Sequence, residues 1–233
     1  MNSGIKNQIN SVFVHVSDLN QSAKWYSDLL GLELKEERLN GGPVYWMELD
    51  GYTGILLDDN SVNKQREGWD MDLVPQYMYV AHNVQSAYEQ LKQNGFRITL
   101  DIETPHEGLT FFNSVDPDGN VFMVCNADDE AEPLNRVVQV PIKHTIPAVF
   151  VNVTQMQKAA NWYFTLLGME QQAVDTKETI VEISSAKGAD VLLDSNRYLQ
   201  GEEYKILFMF DTEDIDAAYE YVRKKSDSCF YRD

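Results

Sequence analysis

Histidine is the side chain best suited to acid–base or metal chemistry in this sequence, and only four histidines occur. His15 lies in a segment of β-branched and aromatic residues (INSVFVHV), and His106 lies in the loop sequence TPHEG. An imidazole titrates near neutral pH, so either ring could serve as a base or a ligand donor, alone or as an unusual two-histidine metal site. A histidine with a purely structural hydrogen bond is the competing interpretation. The sequence contains no GxSxG nucleophile motif, no glycine-rich phosphate loop and no HExxH pair.

Charge and composition exclude several classes of partner. The 233-residue chain carries 37 acidic and 19 basic residues, which gives a formal charge of −18. This charge repels phosphate groups, so we expect neither nucleic acid nor an anionic membrane as a partner. The two cysteines, Cys125 and Cys229, indicate neither a zinc motif nor a disulfide framework. Since no signal peptide or apolar membrane-spanning run is evident, we expect a cytoplasmic protein.

The chain contains two copies of one sequence pattern. The first copy begins at Ser11 with SVFVHVSDLNQSAKWYSDLLGLE, and the second begins at Ala148 with AVFVNVTQMQKAANWYFTLLGME. These segments align without gaps, and the Trp-Tyr pair and the Leu-Leu-Gly triplet coincide. Further along, YMYVAHNVQSAYEQLKQ from Tyr77 resembles FMFDTEDIDAAYEYVRKK from Phe208. The repeat predicts two related domains.

Hydrophobic periodicity predicts the same α+β unit several times. The β-branched and aromatic residues 9–16 predict a strand, and helical spacing of apolar residues from Asn20 to Leu30 predicts a helix. Gly31 is suited to end this helix because glycine tolerates the left-handed conformation. Strands follow, and the order strand–helix–strand–strand–strand is then used again.

These units predict two domains joined by a linker. An acidic stretch containing Pro133 indicates that the linker is solvated. In the second copy the counterpart of residues 103–126 is absent, so we expect an incomplete sheet whose edge is covered by the linker, the first domain or another subunit. The predicted boundaries are 1–127 for the first domain (units at 8–60 and 74–126), 128–141 for the linker and 142–233 for the second, C-terminally incomplete domain.

The most specific motif is VDPDGNVFMV, which begins at Val115. Its proline presets one turn dihedral and its glycine accepts a positive φ, so the motif predicts a tight turn into a strand. Together with the Asp-Leu pair at Asp18 and the WY…LLG pattern, this motif resembles the glyoxalase/bleomycin-resistance/extradiol-dioxygenase (vicinal oxygen chelate) superfamily. The resemblance covers nearly the whole chain and implies an α+β fold of tandem βαβββ modules. Their curved mixed sheets enclose a cup that holds a small molecule.

The resemblance also implies where a metal would be held. Metal-using members carry His or Gln on the first strand of each unit and Glu on the last strand. The matching positions in this chain hold Ser11, Gln76, Met123 and either Leu57 or Asp58. Gln76 and Asp58 then remain as oxygen donors, which are too few to hold a catalytic divalent ion. We therefore expect no cofactor, with a divalent metal at a displaced site as the alternative.

Strand alternation predicts the other side chains of the cup. If Ser11 faces the cup, Phe13 and His15 face it too. If Gln76 faces the cup, Met78 faces it as well. The resemblance places His106 in a loop at the mouth of the cup. A barrel core filled by its own side chains is the competing interpretation. The candidate ligand-binding residues are therefore Ser11, Phe13, His15, Gln76, Met78, His106 and Met123.

Three functions remain open at this stage. The first is a metal-independent protein that binds a small molecule, with sequestration of a toxic or antibiotic-like ligand as the suggested role. The second is a metal-dependent lyase or dioxygenase with a displaced site that uses Gln76, Asp58, His15 or a residue of another subunit. The third is a structural or regulatory homodimer with a filled cup. The sequence assigns no catalytic residue, and the negative charge favours a cationic ligand.

Overall fold

A computed structural model of the chain describes residues 4–126, 140–201 and 205–229. These residues form an eight-stranded sheet, a four-stranded sheet and helices, which confirms the predicted α+β class. Apart from residues 140 and 141, the predicted linker lies outside the described residues. The first half contains β1 (Ile5–His15), α1 (Leu19–Leu30), β2 (Val44–Met47), β3 (Gly54–Asp58), β4 (Tyr77–Ala81), α2 (Val84–Gln93), β5 (Arg97–His106), β6 (Leu109–Val115) and β7 (Val121–Cys125).

The second half follows the same order at first. Its elements are β8 (Ala148–Asn152), α3 (Met156–Leu166), β9 (Ile180–Ile183), β10 (Lys187–Gly188), β11 (Asp190–Asp194), α4 (Asn196–Gln200), β12 (Phe208–Met209) and α5 (Ile215–Cys229). The smaller sheet has the order β12-β8-β11-β9. Within the described ranges, no helix combines the length and apolarity that a membrane span requires.

The two units of the first half share one continuous sheet. Its strand order is β2-β3-β1-β4-β7-β6-β5, and β10 of the second half pairs with β1. The first strands of the two units, β1 and β4, run antiparallel, with Ser11 opposite Met78. Within each unit the first strand runs parallel to the last, β1 to β3 and β4 to β7. Parallel neighbours need a crossover connection, and α1 and α2 provide it.

The Asp-Leu pattern is a helix-start signal. The Asp18 carboxylate accepts a hydrogen bond from the Gln21 backbone N–H at 2.9 Å, and Asn83 does the same for Ser86 at 2.9 Å. These caps satisfy backbone donors that have no partner within the helix. The helix α1 ends at Gly31, whose φ of 62° lies in the left-handed region as predicted.

The first unit has one strand fewer than the second. Between α1 and β2 the chain forms a short 3-10 helix at Glu36–Arg38, where the second unit has β5. The strand β2 therefore lies at the edge of the sheet. The Arg38 guanidinium donates to the Trp46 carbonyl oxygen at 2.8 Å. This contact satisfies a backbone acceptor that an added strand would otherwise use.

A large hydrophobic core lies on the helix-covered face of the sheets. The repeated aromatic pairs of α1 and α3 contribute to it, and Tyr163 is fully buried. The ring of Trp162 contacts Phe122 of β7 with centroids 5.9 Å apart. Aromatic rings bury large areas, so the second half is fixed to the first by packing across both sequence copies.

The DPDGN turn forms the polar part of this joint. The Tyr163 hydroxyl donates to Asp116 Oδ2 at 2.9 Å, and Tyr77 Oη lies 2.8 Å from Tyr163 Oη. Because a carboxylate only accepts, the Tyr163 hydroxyl hydrogen is donated to Asp116. The Tyr77 hydroxyl therefore donates to the Tyr163 oxygen. Burial raises the pKa of the Asp116 carboxyl, and hydrogen bonds from Asn120 and Tyr163 partly offset this effect. The DPDGN motif therefore does more than form a turn, because its Asp116 also holds Tyr163 of the second half.

A second joint lies at the start of β1, where β10 approaches its backbone. Gly188 has a φ of 77°, and a Cβ placed there would lie 2.8 Å from the Ile9 carbonyl oxygen. The Thr53 hydroxyl donates to this same oxygen at 2.6 Å and accepts from the Ala189 N–H at 2.8 Å. Only glycine fits this approach without displacing the backbone.

Candidate functional site in the cup

Side-chain alternation divides the large sheet into two faces. Val12, Tyr77 and Phe122 point into the helix-covered core, while their neighbours point to the opposite, concave face, which we call the cup. The cup contains a hydrophobic cluster of its own that is separate from the main core. Its members are Phe13, Met78, Phe111 and Cys125, with Leu56, Leu100, Leu109 and Met123 packed against them.

Three predicted site residues lie in this cluster. Phe13 and Met78 are buried, and Met123 is half-buried. Met78 stands opposite Ser11 on one side and Met123 on the other, so these side chains form a row across three strands. Ser11 is buried, and its hydroxyl donates to Asn10 Oδ1 at 2.9 Å. The structure therefore brings together the residues that the sequence placed on one face.

Two amide groups interrupt the apolar lining of the cup. The side-chain oxygens of Gln76 and Asn113 are buried and have no hydrogen-bond partner. Asn113 is 6% exposed and pairs with Met123 in register, so it lies on the cup face. Sequence reasoning predicted Gln76 and missed Asn113. The signal was present, because Asn113 is the polar residue at a cup-facing position of the strand sequence LTFFNSV.

The register settles which residue of β3 faces the cup. Leu57 is buried in the main core, whereas Asp58 lies opposite His15. The Asp58 carboxylate accepts from the Asn60 backbone N–H at 2.7 Å and from the Asn63 amide at 3.4 Å. Burial raises the pKa of Asp58, and the Asn60 hydrogen bond and His15 partly offset this effect.

His15 has both ring nitrogens occupied by hydrogen bonds. Its Nε2 lies 2.9 Å from the Pro75 carbonyl oxygen, and its Nδ1 lies 3.0 Å from the Asn60 amide nitrogen. A carbonyl only accepts and an amide nitrogen only donates, so the neutral ring carries its hydrogen on Nε2. Proton transfer or metal binding by His15 would require one of these bonds to break. The ring also stacks on Phe13 with centroids 6.0 Å apart.

The loop between β3 and β4, residues 59–76, passes over the concave side, and we call it the strap. Arg66 of the strap forms a two-pronged ion pair with Glu103 of β5, with distances of 2.5 and 2.6 Å. Glu103 pairs with Phe111 of the cup cluster, so it lies on the cup face. The strap therefore starts at β3, reaches the opposite edge of the sheet at β5 and returns to β4.

His106 is the last residue of β5, directly before the turn that leads to β6, rather than a loop residue as predicted. It is exposed, and its Nδ1 donates to the Glu107 carbonyl oxygen at 3.0 Å. Its strand partner is Leu109, which packs against the cup cluster. The ring is thus near the rim, and no contact joins it to His15.

The residues that this chain carries at the family's metal-ligand positions are poorly suited to bind a divalent ion. The Ser11 hydroxyl is hydrogen-bonded to Asn10, and Met123 has only a thioether sulfur to offer. The Asp58 carboxylate accepts hydrogen bonds from Asn60 and Asn63 of the strap. Gln76 is the one such position with an unused oxygen. Across the described ranges, no three His, Cys, Asp or Glu side chains converge as a metal site. Hard divalent ions need several oxygen or nitrogen donors, so these residues do not fit a catalytic metal.

Comparison with solved structures shows the same fold at low sequence identity. Catechol 2,3-dioxygenase matches with a TM-score of 0.53 and 13% identity over 94% of this chain and 77% of its own. The Mn(II)-bound glyoxalase from Novosphingobium aromaticivorans gives 0.54 and 13% over 96% and 71%. A variant of 4-hydroxymandelate synthase from Streptomyces coelicolor gives 0.56 and 11% over 95% and 76%. These likenesses concern the fold alone.

Sequence comparison identifies the family. The chain is 24% identical to the uncharacterized protein YetH of Bacillus subtilis (strain 168) over 120 residues, which are 50% of this chain and 96% of YetH. One family model matches both halves of the chain, at residues 8–124 and 142–229. The chain therefore belongs to the Glyoxalase/Bleomycin resistance protein/Dioxygenase superfamily.

Proposed function

We propose that the cup binds a small, largely apolar molecule that donates hydrogen bonds, and that it does so without a metal. The observation that carries this proposal is the pair of buried, unpartnered amide oxygens of Gln76 and Asn113. A buried acceptor without a partner costs about 1–3 kcal/mol. A donor-bearing ligand would recover this cost, while the surrounding cluster would bind its apolar part.

Binding is better supported than catalysis. Both nitrogens of His15 are engaged, and Cys125 is buried among apolar side chains. A general base needs a free lone pair within reach of the substrate, and a reactive thiol needs a polar, partly exposed surrounding. The suggested role is thus to hold a ligand, as in sequestration of a toxic or antibiotic-like compound.

The metal-free part of the proposal has a direct test. We expect natively purified protein to contain no stoichiometric divalent metal after incubation with Mn²⁺, Fe²⁺ or Zn²⁺ and desalting. Elemental analysis by inductively coupled plasma measures this. One transition metal per chain would contradict the proposal and favour the metal-dependent alternative.

Ligand binding is tested with the variant Asn113→Leu and a neutral apolar dye, Nile red. The substitution removes a buried side-chain oxygen that has no hydrogen-bond partner, so we expect the free energy of unfolding to rise by about 1 kcal/mol. It also removes one acceptor, so a hydrogen-bonding ligand found by native mass spectrometry should bind at least about tenfold more weakly. Nile red should bind wild-type protein and be displaced by that ligand.

The control is Ser114→Ala, the adjacent residue on the opposite face. The Ser114 hydroxyl donates to the Arg97 carbonyl oxygen at 2.9 Å, so this variant should lose stability and keep its affinity. A wild-type protein that binds neither the dye nor a retained small molecule would contradict the proposal and favour a cup filled by its own side chains.

A further inference from the structure

The strap is much longer than the connection between its two strands requires. The strands β3 and β4 both pair with β1, so they are separated by two strand spacings, or about 10 Å. A few extended residues could span this distance, yet the strap comprises residues 59–76. It reaches Glu103 on β5, which lies three strands beyond β4. Loops of this length in a compact domain usually have a function of their own.

One side chain of the sheet holds both ends of the strap. His15 lies on β1, between the two strands that the strap joins. Its Nε2 donates to the Pro75 carbonyl oxygen at 2.9 Å, and its Nδ1 accepts from the Asn60 amide at 3.0 Å. Asn60 and Pro75 are both buried. These contacts, which we call the clamp, fix the two ends of the strap beside each other.

The middle of the strap, residues 61–74, is held less firmly. Within the part of the chain that the structure describes, none of these residues belongs to either hydrophobic cluster. Its contact with the far edge of the sheet is the Arg66–Glu103 ion pair, which we call the latch. Both side chains of the latch are about one-third exposed, so water competes with the pair. A segment without buried apolar contacts opens at a low cost in free energy.

We propose that the strap is the lid of the cup, and that it opens at the latch while the clamp acts as its hinge. This inference rests on the proposed binding of a small molecule in the cup, because such a molecule would enter beneath the strap. Gln76 follows Pro75 directly, and its side-chain oxygen is one of the two acceptors assigned to the ligand. The clamp keeps this acceptor in place while the lid moves, so His15 is a positioning residue.

A lid changes how fast a ligand enters and leaves rather than how tightly it binds. Since exchange needs the open state, a weaker latch raises the population of that state and increases both rate constants by the same factor. The affinity stays the same because no contact with the ligand is lost. A residue that binds the ligand behaves differently, because its loss mainly raises the dissociation rate constant and weakens the affinity.

The experiment measures Nile red exchange with the full chain by stopped-flow fluorescence. We expect Arg66→Met to raise the association and dissociation rate constants about fivefold each, with the dissociation constant within about twofold of wild type. The matched control is Lys143→Met, which removes the same charge from an ion pair of the second half, formed with Asp211 at 3.0 Å. This control should leave both rate constants within about twofold of wild type.

Charge exchange tests the latch itself. Arg66→Glu places two carboxylates together and Glu103→Arg places two guanidinium groups together, so each should speed exchange at least as much as Arg66→Met. The double variant Arg66→Glu/Glu103→Arg restores the pair in reverse, and both rate constants should return to within about twofold of wild type. A double variant as fast as the single variants would overturn the proposal.

Hydrogen exchange without a ligand locates the hinge. The Asn60 backbone N–H donates to Asp58 beside the clamp, and the Arg66 backbone N–H donates to the Asn63 carbonyl oxygen at 3.0 Å. We expect Arg66→Met to speed exchange of the residue 66 amide about fivefold and to leave that of Asn60 within about twofold of wild type. Equal acceleration at both amides would show that the whole strap detaches, and the clamp would then not be the hinge.

The outcomes separate the lid from the binding proposal. Nile red that binds with rate constants insensitive to Arg66→Met would overturn the lid and leave the cup proposal as it stands. A weaker affinity with an unchanged association rate constant would also overturn the lid, because Arg66 would then contact the ligand. A wild-type protein that binds neither the dye nor a retained small molecule would overturn both proposals.

Discussion

The joint between the two halves can be tested by removing a single oxygen atom in the variant Tyr163→Phe. The Tyr163 hydroxyl makes two buried hydrogen bonds, one to Asp116 and one with Tyr77. A bond to a charged group contributes about 1.5–3 kcal/mol, and a neutral one contributes about 1 kcal/mol. The variant also leaves the fully buried Tyr77 hydroxyl without its acceptor. We therefore expect the free energy of unfolding to fall by about 3 kcal/mol.

The sequence repeat offers a matched control. Tyr26 occupies the same position of α1 that Tyr163 occupies in α3. Its ring packs against the core, but in the described part of the chain its hydroxyl has no hydrogen-bond partner. We expect Tyr26→Phe to change the free energy of unfolding by no more than about 0.5 kcal/mol.

The assay is urea unfolding followed by fluorescence and circular dichroism. The double variant Tyr77→Phe/Tyr163→Phe provides a further comparison, because it removes the Tyr77 hydroxyl together with the Tyr163 hydroxyl that accepts from it. We expect the double variant to lose less stability than the sum of the single variants. If Tyr163→Phe costs less than about 1 kcal/mol, or as little as Tyr26→Phe, the buried network does not join the halves and this reasoning is refuted.

Three further predictions follow from other contacts. Gly188→Ala should lower the free energy of unfolding by about 2–4 kcal/mol, because a Cβ would meet the Ile9 carbonyl oxygen at a positive φ; a urea midpoint equal to that of wild type would contradict this. Because burial raises the folded-state pKa of Asp58, this carboxyl's contribution to stability is present below the unfolded value of about 3.9 and is lost as the pH rises through the raised value. The free energy of unfolding of Asp58→Asn should therefore increase relative to that of wild type as the pH rises from about 3.5 to 7, which parallel urea titrations measure. A decrease relative to wild type over this range would show that the folded-state pKa is lowered instead. The Arg66–Glu103 pair is about one-third exposed, so we discount its worth to about 1 kcal/mol. In Arg66→Met, hydrogen exchange of the backbone amides of residues 66 and 69 should then be about fivefold faster than in wild type. Unchanged exchange rates would show that the ion pair does not hold the strap.

Local sequence signals predicted much of the fold because their physics acts over a few residues. Asp18 and Asn83 mark helix starts by bonding the backbone three residues ahead. Gly31 marks a helix end through its left-handed conformation. The Asp116 turn is likewise closed by bonds to residues two and four positions later. The alternation of side chains along β1 and β4 then sufficed to place Phe13 and Met78 on one face.

The missing strand of the first unit shows where such signals end. Residues 32–40 contain no glycine or proline that would forbid a strand, yet they hold a 3-10 helix. In this conformation Arg38 reaches both the edge of β2 and Glu48. That choice depends on contacts with another element, so the periodicity of the segment itself does not reveal it.

The sequence by itself determined the repeat, the family, the cup face and the poor match of Ser11 and Met123 to a metal, because each follows from residue type and near-neighbour spacing. The tertiary structure alone decided that His15 has both nitrogens bonded, that Asn113 has an unpartnered oxygen and that Arg66 reaches Glu103. It also placed His144 beside Leu30, 114 residues away in sequence. These features depend on strand register and on contacts between distant segments, which form only when the whole sheet and its helices pack together.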